Sequence, residues 1–215
     1  MANTRYTIPK GRHKSRPFVL DSIRPRHKVE SRVFEAVLGK GCAYVFKKGD
    51  GTIHPNQWDF SKLRGNSHCL MTNHQNAYMG AWRYNPIETC HELTSYLHRG
   101  GERFIGPNRV LITEEDKQAP SAFAAQGFTS EFHFKLLQVD IMATAEIGEA
   151  FQYRLLTDWD EMLFGVGFKT RSTGNRWEDD WFAIPEANAI TRDILHWFGG
   201  DFSAPHKMKI QEWKI

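Results

Sequence analysis

The stretch Ile87–Gly106, "IETCHELTSYLHRGGERFIG", decides the fold class. Read as a helix, it would start at Asn85, Pro86 and Glu88 and carry Ile87, Cys90, Thr94 and Leu97 as a stripe at helical spacing. Read as strands, Leu93, Ser95 and Leu97 alternate with Glu92, Thr94 and Tyr96, and Gly100-Gly101 supplies a hairpin turn. We read it as two strands.

The surrounding segments follow the same period. "RVFEAVL" (32–38) sets Val33, Glu35 and Val37 against Phe34, Ala36 and Leu38. "CAYVF" (42–46), "NAYMGAWRY" (76–84), "RVLIT" (109–113), "EFHFKLLQVDIM" (131–142), "FQYRLL" (151–156) and "EMLFGVGFK" (161–169) read as further strands. Asp50-Gly51 marks a hairpin, because the tight turn needs positive φ. The closing "HKMKIQEWK" puts Met208 and Ile210 on one face and Lys207, Lys209 and Gln211 on the other, the pattern of a half-buried strand. "PSAFAAQGF" (120–128) and "PEANAITRDIL" (185–195) read as short helices. Together these predict an all-β fold, a β-sandwich or a jelly-roll-like one.

A chain of 215 residues fits one large core, and 7 Trp with 15 Phe are ample material to fill it. The longest apolar runs, such as Cys42–Phe46 and Trp181–Ile184, fall far short of the roughly 20 residues that cross a bilayer, so no membrane partner is expected. The first twenty residues are basic and lack the apolar core of a secretory signal, which points to a virion or cytoplasmic location. Cys42, Cys69 and Cys90 are odd in number and form no CxxC pair; they read as buried core residues.

Charge is segregated along the chain. Residues 1–28 hold Arg5, Lys10, Arg12, Lys14, Arg16, Arg24, Arg26 and Lys28 against Asp21 alone, a net of +7; since the whole chain carries +3, the remainder carries −4. Pro9, Pro17 and Pro25 keep this segment extended. The expected organisation is therefore a basic extended N-terminal arm over 1–30 and a sandwich over 31–215. Its eight cations are the candidate binding residues, suited to an acidic surface on a neighbouring protein subunit or to nucleic-acid phosphates.

No spacing points to catalysis. His68, His74, His91 and His98 lie near one another but form no HExxH or comparable ligand pattern, so no metal site is expected. Asp158 and Asp160 share a face if "TDWDEM" is extended, the arrangement a glycoside hydrolase uses, yet they sit beside a turn and read as a solvated hairpin tip. Glu114–Asp116 and Glu178–Asp180 likewise read as loop charges. Trp58, Tyr78, Trp82, Tyr84, Trp177, Trp181 and Trp197 read mainly as core, with a sugar-stacking platform as the alternative. No phosphate loop, nucleophile elbow or Cys–His pairing is present, so no catalytic residue is assigned and no cofactor is expected.

Three stretches carry a resemblance: "NQWDFSKLRG" (56–65), "HQNAYMGAWRYN" (74–85) and "WFGGDFSAPHKMKI" (197–210). Their order resembles that in uncharacterised small β-sandwich proteins of Bacteroidetes-type bacteria and their phages. Ala81 interrupts that group's "GWRYN", and Trp197 stands where its "YFGG" has tyrosine. The resemblance implies a β-sandwich and a bacterial or phage context, and it carries no function with it. The expectation is a non-enzymatic structural or interaction protein of a multi-subunit assembly, a phage virion component in its most concrete form. The alternative is a carbohydrate-binding or carbohydrate-cleaving module.

Overall fold

The computed structural model describes residues 4–16, 23–25, 29–68, 75–126, 130–184, 190–194, 196–199 and 202–215. Two antiparallel sheets pack face to face. The first, sheet A, is built from β1 (Thr4–Ile8), β3 (Val29–Leu38), β10 (Ala150–Asp158), β11 (Leu163–Lys169), β12 (Glu178–Ala183) and β14 (Met208–Lys214), in the order β1-β14-β3-β10-β11-β12. Sheet B runs β2-β13-β4-β5-β6-β7-β8, from β2 (Ile23–Pro25), β13 (Ile190–Ile194), β4 (Ser61–Ser67), β5 (Asn76–Asn85), β6 (Cys90–Arg99), β7 (Glu102–Ile105) and β8 (Val110–Ile112). The short β9 (Ala143–Ala145) pairs with β6 beside β7. This is the β-sandwich the periodicity predicts.

The deciding stretch is two strands. Gly100 and Gly101 take φ of +59° and +91°, the left-handed conformation that a two-residue hairpin needs, and Arg99 pairs directly with Glu102. Alternation then sorts the side chains of β5 and β6. Tyr78, Trp82, Leu93 and Leu97 enter the core between the sheets, while Ala77, Met79, Ala81 and Tyr96 face outward into a second apolar cluster.

That second cluster explains one departure from expectation. Glu131–Leu137 is a helix, α1, although "EFHFKLL" alternates like a strand. Phe132 and Leu136, one helical turn apart, bury against the outer face of sheet B together with Val139. Arg83 fastens the helix there: its Nη1 donates to the Leu136 carbonyl at 2.8 Å, and its Nε meets Glu92 at 2.5 Å. Burial lowers the Arg83 pKa against the pull of that carboxylate.

Two other expectations are corrected. "CAYVF" forms no strand; Lys40–Cys42 is a 3₁₀ turn, and the buried Gln57 side chain takes the place of a neighbouring strand. Its amide donates to the carbonyls of Tyr44 (3.1 Å) and Tyr84 (2.7 Å) and accepts from the Phe46 N–H (2.8 Å). Ile190–Ile194, expected helical, is strand β13, because Arg192–Ile194 pair with Ser67–Gly65. Residues 185–189 and Leu195 lie outside the described residues, as do 127–129 of the other expected helix, of which Ala124–Gln126 is a 3₁₀ turn.

The N-terminal segment is woven into the sandwich along one side. β1 pairs with β14, Thr7 also bridges Arg16, Lys14 bridges Trp197, and Trp197 bridges Lys62 of β4. Backbone pairing therefore passes from sheet A to sheet B without a break, and Tyr6 and Ile8 fill the core beneath it. Gly199 is what lets this seam close. A Cβ there would run into the Phe60 carbonyl oxygen. Gly199→Ala is expected to destabilise the protein by about 1–3 kcal/mol through overpacking, read as a lower urea midpoint.

Candidate functional site

The interior holds a charged network that alternation alone would not place there. Pairing between β4 and β5 shifts register between Lys62 and Gly65, a bulge that changes the phase of β4. Leu63 points inward before it, and Arg64, Asn66 and His68 point inward after it. Gly65 is required at the bulge, since a Cβ would strike Met79 and the Tyr78 carbonyl. Arg64 Nε then donates to Glu212 at 2.9 Å and its Nη2 to the Tyr6 hydroxyl at 2.5 Å. Tyr153 donates to the other oxygen of Glu212, and His196 Nε2 lies 3.0 Å from it. Alongside, Arg32 pairs with Asp193 at 2.6 Å and donates to Asn66, whose amide reaches the Tyr78 hydroxyl at 2.6 Å. Burial raises the Tyr153 pKa well above the ordinary phenol value, assisted by the Glu212 charge.

These groups hold one another between the sheets. Arg32 and Glu212 are each 2% exposed, so they are saturated ties rather than a solvent-facing cleft. The histidines are separated as the strand period requires. His91 faces the core and His98 the outer cluster, while His68 sits among Tyr78, Trp159 and Phe164. His74 and Cys69 lie outside the described residues. Among the described residues no group of three or more His, Cys, Asp and Glu stands close enough to hold a metal ion. Cys42 is fully buried, and its thiol is pushed up to about 12.

The carboxylate runs are mostly structural. Asp158 Oδ1 accepts from the N–H groups of Asp160 (3.0 Å) and Glu161 (3.2 Å), capping the β10–β11 turn. Asp116 is buried, accepts from the Thr113 N–H and pairs with Lys135 at 2.7 Å. Glu178–Asp180, expected in a loop, begins β12. Asp180 is gripped by both Arg109 nitrogens at 2.6 and 2.7 Å, and Ser95 donates to it at 2.5 Å, so β12 is clamped to sheet B. Sequence reasoning missed this clamp; its partner Arg109 lies in a turn and has a φ of +53°.

The two outer faces differ. That of sheet B is covered by α1 and neighbouring turns, whereas among the described residues no helix packs on the outer face of sheet A. Register places Leu156, Gly165 and Trp181 in one row across β10, β11 and β12, and Arg154, Gly167 and Asp179 in the next. The two glycines make room for what lies over them. A Cβ on Gly165 would sit 3.2 Å from the Trp181 ring, and one on Gly167 would sit 3.1 Å from Arg154 Cγ and overlap Asp179. Arg154 grips Asp179, at 2.9 Å through Nε, and stacks 4.3 Å from the centroid of Trp177. Of the seven aromatics singled out, Trp58, Tyr78, Trp82 and Tyr84 are buried, Trp177 is half-buried, and Trp181 and Trp197 are 42% and 36% exposed.

The arm cations are reached from the same pairing. Arg5, Lys10, Arg12, Lys14 and Arg16 are all exposed along the seam. Arg24 lies in β2, and Arg26 and Lys28 lie outside the described residues.

No family model and no curated protein matches this chain. Among solved structures, a functionally unknown protein from Saccharomyces cerevisiae is similar over 90% of this chain and 69% of its own, at 8% identity and a TM-score of 0.44. A heptameric SAP-like pentraxin from Limulus polyphemus is similar over 98% of this chain and 73% of its own, at 8% identity and a TM-score of 0.34. Arcelin-5, a lectin-like defense protein from Phaseolus vulgaris, is similar over 99% of each chain, at 8% identity and a TM-score of 0.26. Among the described residues no helix is long and apolar enough to cross a membrane.

The buried histidines set an acid limit. Desolvation holds His68 down to about 3, and His91 and His196 down to about 4 each. Unfolded, each takes a proton near pH 6.5; folded, it stays neutral, so the unfolded state binds more protons and stability falls as pH drops from about 6.5 towards 4. Each such histidine contributes at most about 1.4 kcal/mol per pH unit in that window. Urea unfolding between pH 7 and pH 4.5 is expected to show the decline, and His68→Leu to make it shallower by about one proton.

Proposed function

We propose that the chain is a non-enzymatic interaction protein, one subunit of a larger assembly, and that the outer face of sheet A is its subunit contact. The observation that carries this reading is the asymmetry of the two outer faces. Among the described residues the chain covers one with its own helix and turns, while the other presents Trp181 lying against Gly165, beside the Arg154–Asp179 pair and Trp177. Tryptophan and arginine are the residue types that anchor protein interfaces. Glu178 and Asp179 at the edge strand disfavour pairing of strand to strand, which leaves the face as the contact. A virion subunit is the concrete form of this reading, in keeping with the bacterial or phage context that the resemblance to β-sandwich proteins of Bacteroidetes-type bacteria and their phages implies.

A second reading shares the same residues. An exposed indole beside planar hydrogen-bonding groups is also suited to stacking on a sugar ring, so the face supports carbohydrate binding. Asp158 is committed to its turn, which favours binding over cleavage.

Light scattering on the full-length protein is the test. A mass at a multiple of 24.9 kDa is expected for the wild type and a monomer for Trp181→Glu, with the circular dichroism of the two unchanged. A wild type that stays monomeric at all concentrations, or a variant that keeps the wild-type mass, overturns the reading. Glycan-array binding that Trp181→Ala abolishes replaces it with the second.

A further inference from the structure

The seam arranges the basic residues as a surface. Thr7 faces Lys209 on one side and Arg16 on the other, so Lys209 and Arg16 project on the same side of the sheet as Thr7; Arg5, two residues away in β1, projects there too. Lys14, two residues from Arg16, shares that side and pairs with Trp197, which pairs in turn with Lys62. Four neighbouring segments thus carry Lys209, Arg5, Arg16 with Lys14, and Trp197 in one stripe, about 14 Å across at about 4.8 Å per strand spacing. Lys10 and Arg12 extend it at the Pro9–His13 turn.

Among the described residues the stripe is free of carboxylates. Residues 4–16 contain five cations and no Asp or Glu, and Glu212, the acid of β14, points into the core. Among the described residues none of Arg5, Lys10, Arg12, Lys14, Arg16 and Lys209 meets a carboxylate, whereas Arg64, Arg83, Arg103, Arg109 and Arg154 all do. Those arginines are paired, and here, among the described residues, the cations are not neutralised. Within the stripe stands an aromatic. Trp197 is 36% exposed, stacked on His13 at 5.5 Å and capped by the Lys14 ammonium at 5.5 Å.

We propose that this stripe binds single-stranded nucleic acid, with the cations on successive phosphates and Trp197 as the surface on which a base stacks. Cations tracking a backbone around a stacking aromatic are the means by which single strands are held without sequence readout. The site is separate from the Trp181 face, since β1 and β12 are opposite edges of sheet A. Its failure and that of the assembly reading are therefore distinguishable.

The test is fluorescence anisotropy of a labelled oligothymidylate of 20 nucleotides with the full-length protein, over a salt series. With four to five phosphates neutralised, the slope of log affinity against log salt is expected near −3, at about −0.7 per phosphate. Lys14→Glu combined with Arg16→Glu changes two exposed side chains; it is expected to weaken binding at least tenfold and to make the slope shallower by about 1.4. Trp197→Ala is expected to cost about tenfold with the slope unchanged, the signature of lost stacking rather than lost charge. Lys10→Glu with Arg12→Glu, in the turn, repeats the charge test should the first pair unfold the seam. No binding at 50 mM salt, or binding that both charge reversals leave intact, overturns the proposal. So does displacement of the oligonucleotide by phosphatidylserine vesicles at equal phosphate, which would make the stripe a membrane-surface contact.

Discussion

The contact between Arg64 and Glu212 is the tie on which the rest of the sandwich depends. Glu212 belongs to β14 in sheet A and Arg64 to β4 in sheet B, and neither charge reaches bulk water freely. Breaking such a pair from one side costs about 3–5 kcal/mol, because the partner is left charged in an apolar interior. The pair also fixes register. A one-residue slip of β14 would turn Glu212 to solvent and bring Gln211 and Trp213 into the core, stranding Arg64. Burial works against the Arg64 charge, yet Glu212, with Tyr153 and Tyr6 beside it, raises the Arg64 pKa, so the guanidinium keeps its charge at any pH at which the protein is folded.

This tie is possible because of a defect in the ladder. Without the bulge between Lys62 and Gly65, Arg64 would face outward beside Lys62, and Glu212 would have no cation. The bulge in turn needs Gly65 beneath Met79. The same polar cluster reaches the seam. Tyr6 accepts from Arg64, and His196 stacks on Tyr6 at 4.6 Å while touching Glu212. Because strands alternate, the side chains that bury Tyr6 and Ile8 also decide where Arg5 and Thr7 point. The cationic surface is the reverse side of the core, and deleting the first 28 residues would remove core as well as charge.

The fold class was legible because its signal is local. Alternation in Arg32–Leu38 and Asn76–Tyr84, with the Gly100-Gly101 turn, needs no knowledge of what lies across the sheet. What was not legible depended on distant partners. "EFHFKLL" alternates as a strand does, yet both sheets are already filled, and the outer face of sheet B rewards Phe132 and Leu136 at helical spacing. Asp180 reads as a loop charge until Arg109, 71 residues away, is found to grip it. Of the candidate site, the residue types were visible and their layout was not. Eight cations could be counted along the chain, but only the pairings of Thr7 with Lys209 and Arg16, and of Lys14 with Trp197, put some of them in one stripe.

That layout bears on how one small sandwich could serve the two partners proposed for it. An arm swinging free would be drawn to any acidic surface, including one on a neighbouring subunit, so that its charge and the subunit contact would compete. Fixing the cations on β1 and the seam separates them from Trp181 by five strand spacings, about 24 Å across sheet A. At physiological salt the Debye length is about 8 Å, so a neighbour seated on Trp181 hardly feels the stripe. A subunit held by the Trp181 face would leave the basic edge uncovered, and a two-fold contact through that face would give the pair two such edges. Avidity along a polyanion would then follow from two stripes on one particle, with each needing only modest affinity of its own.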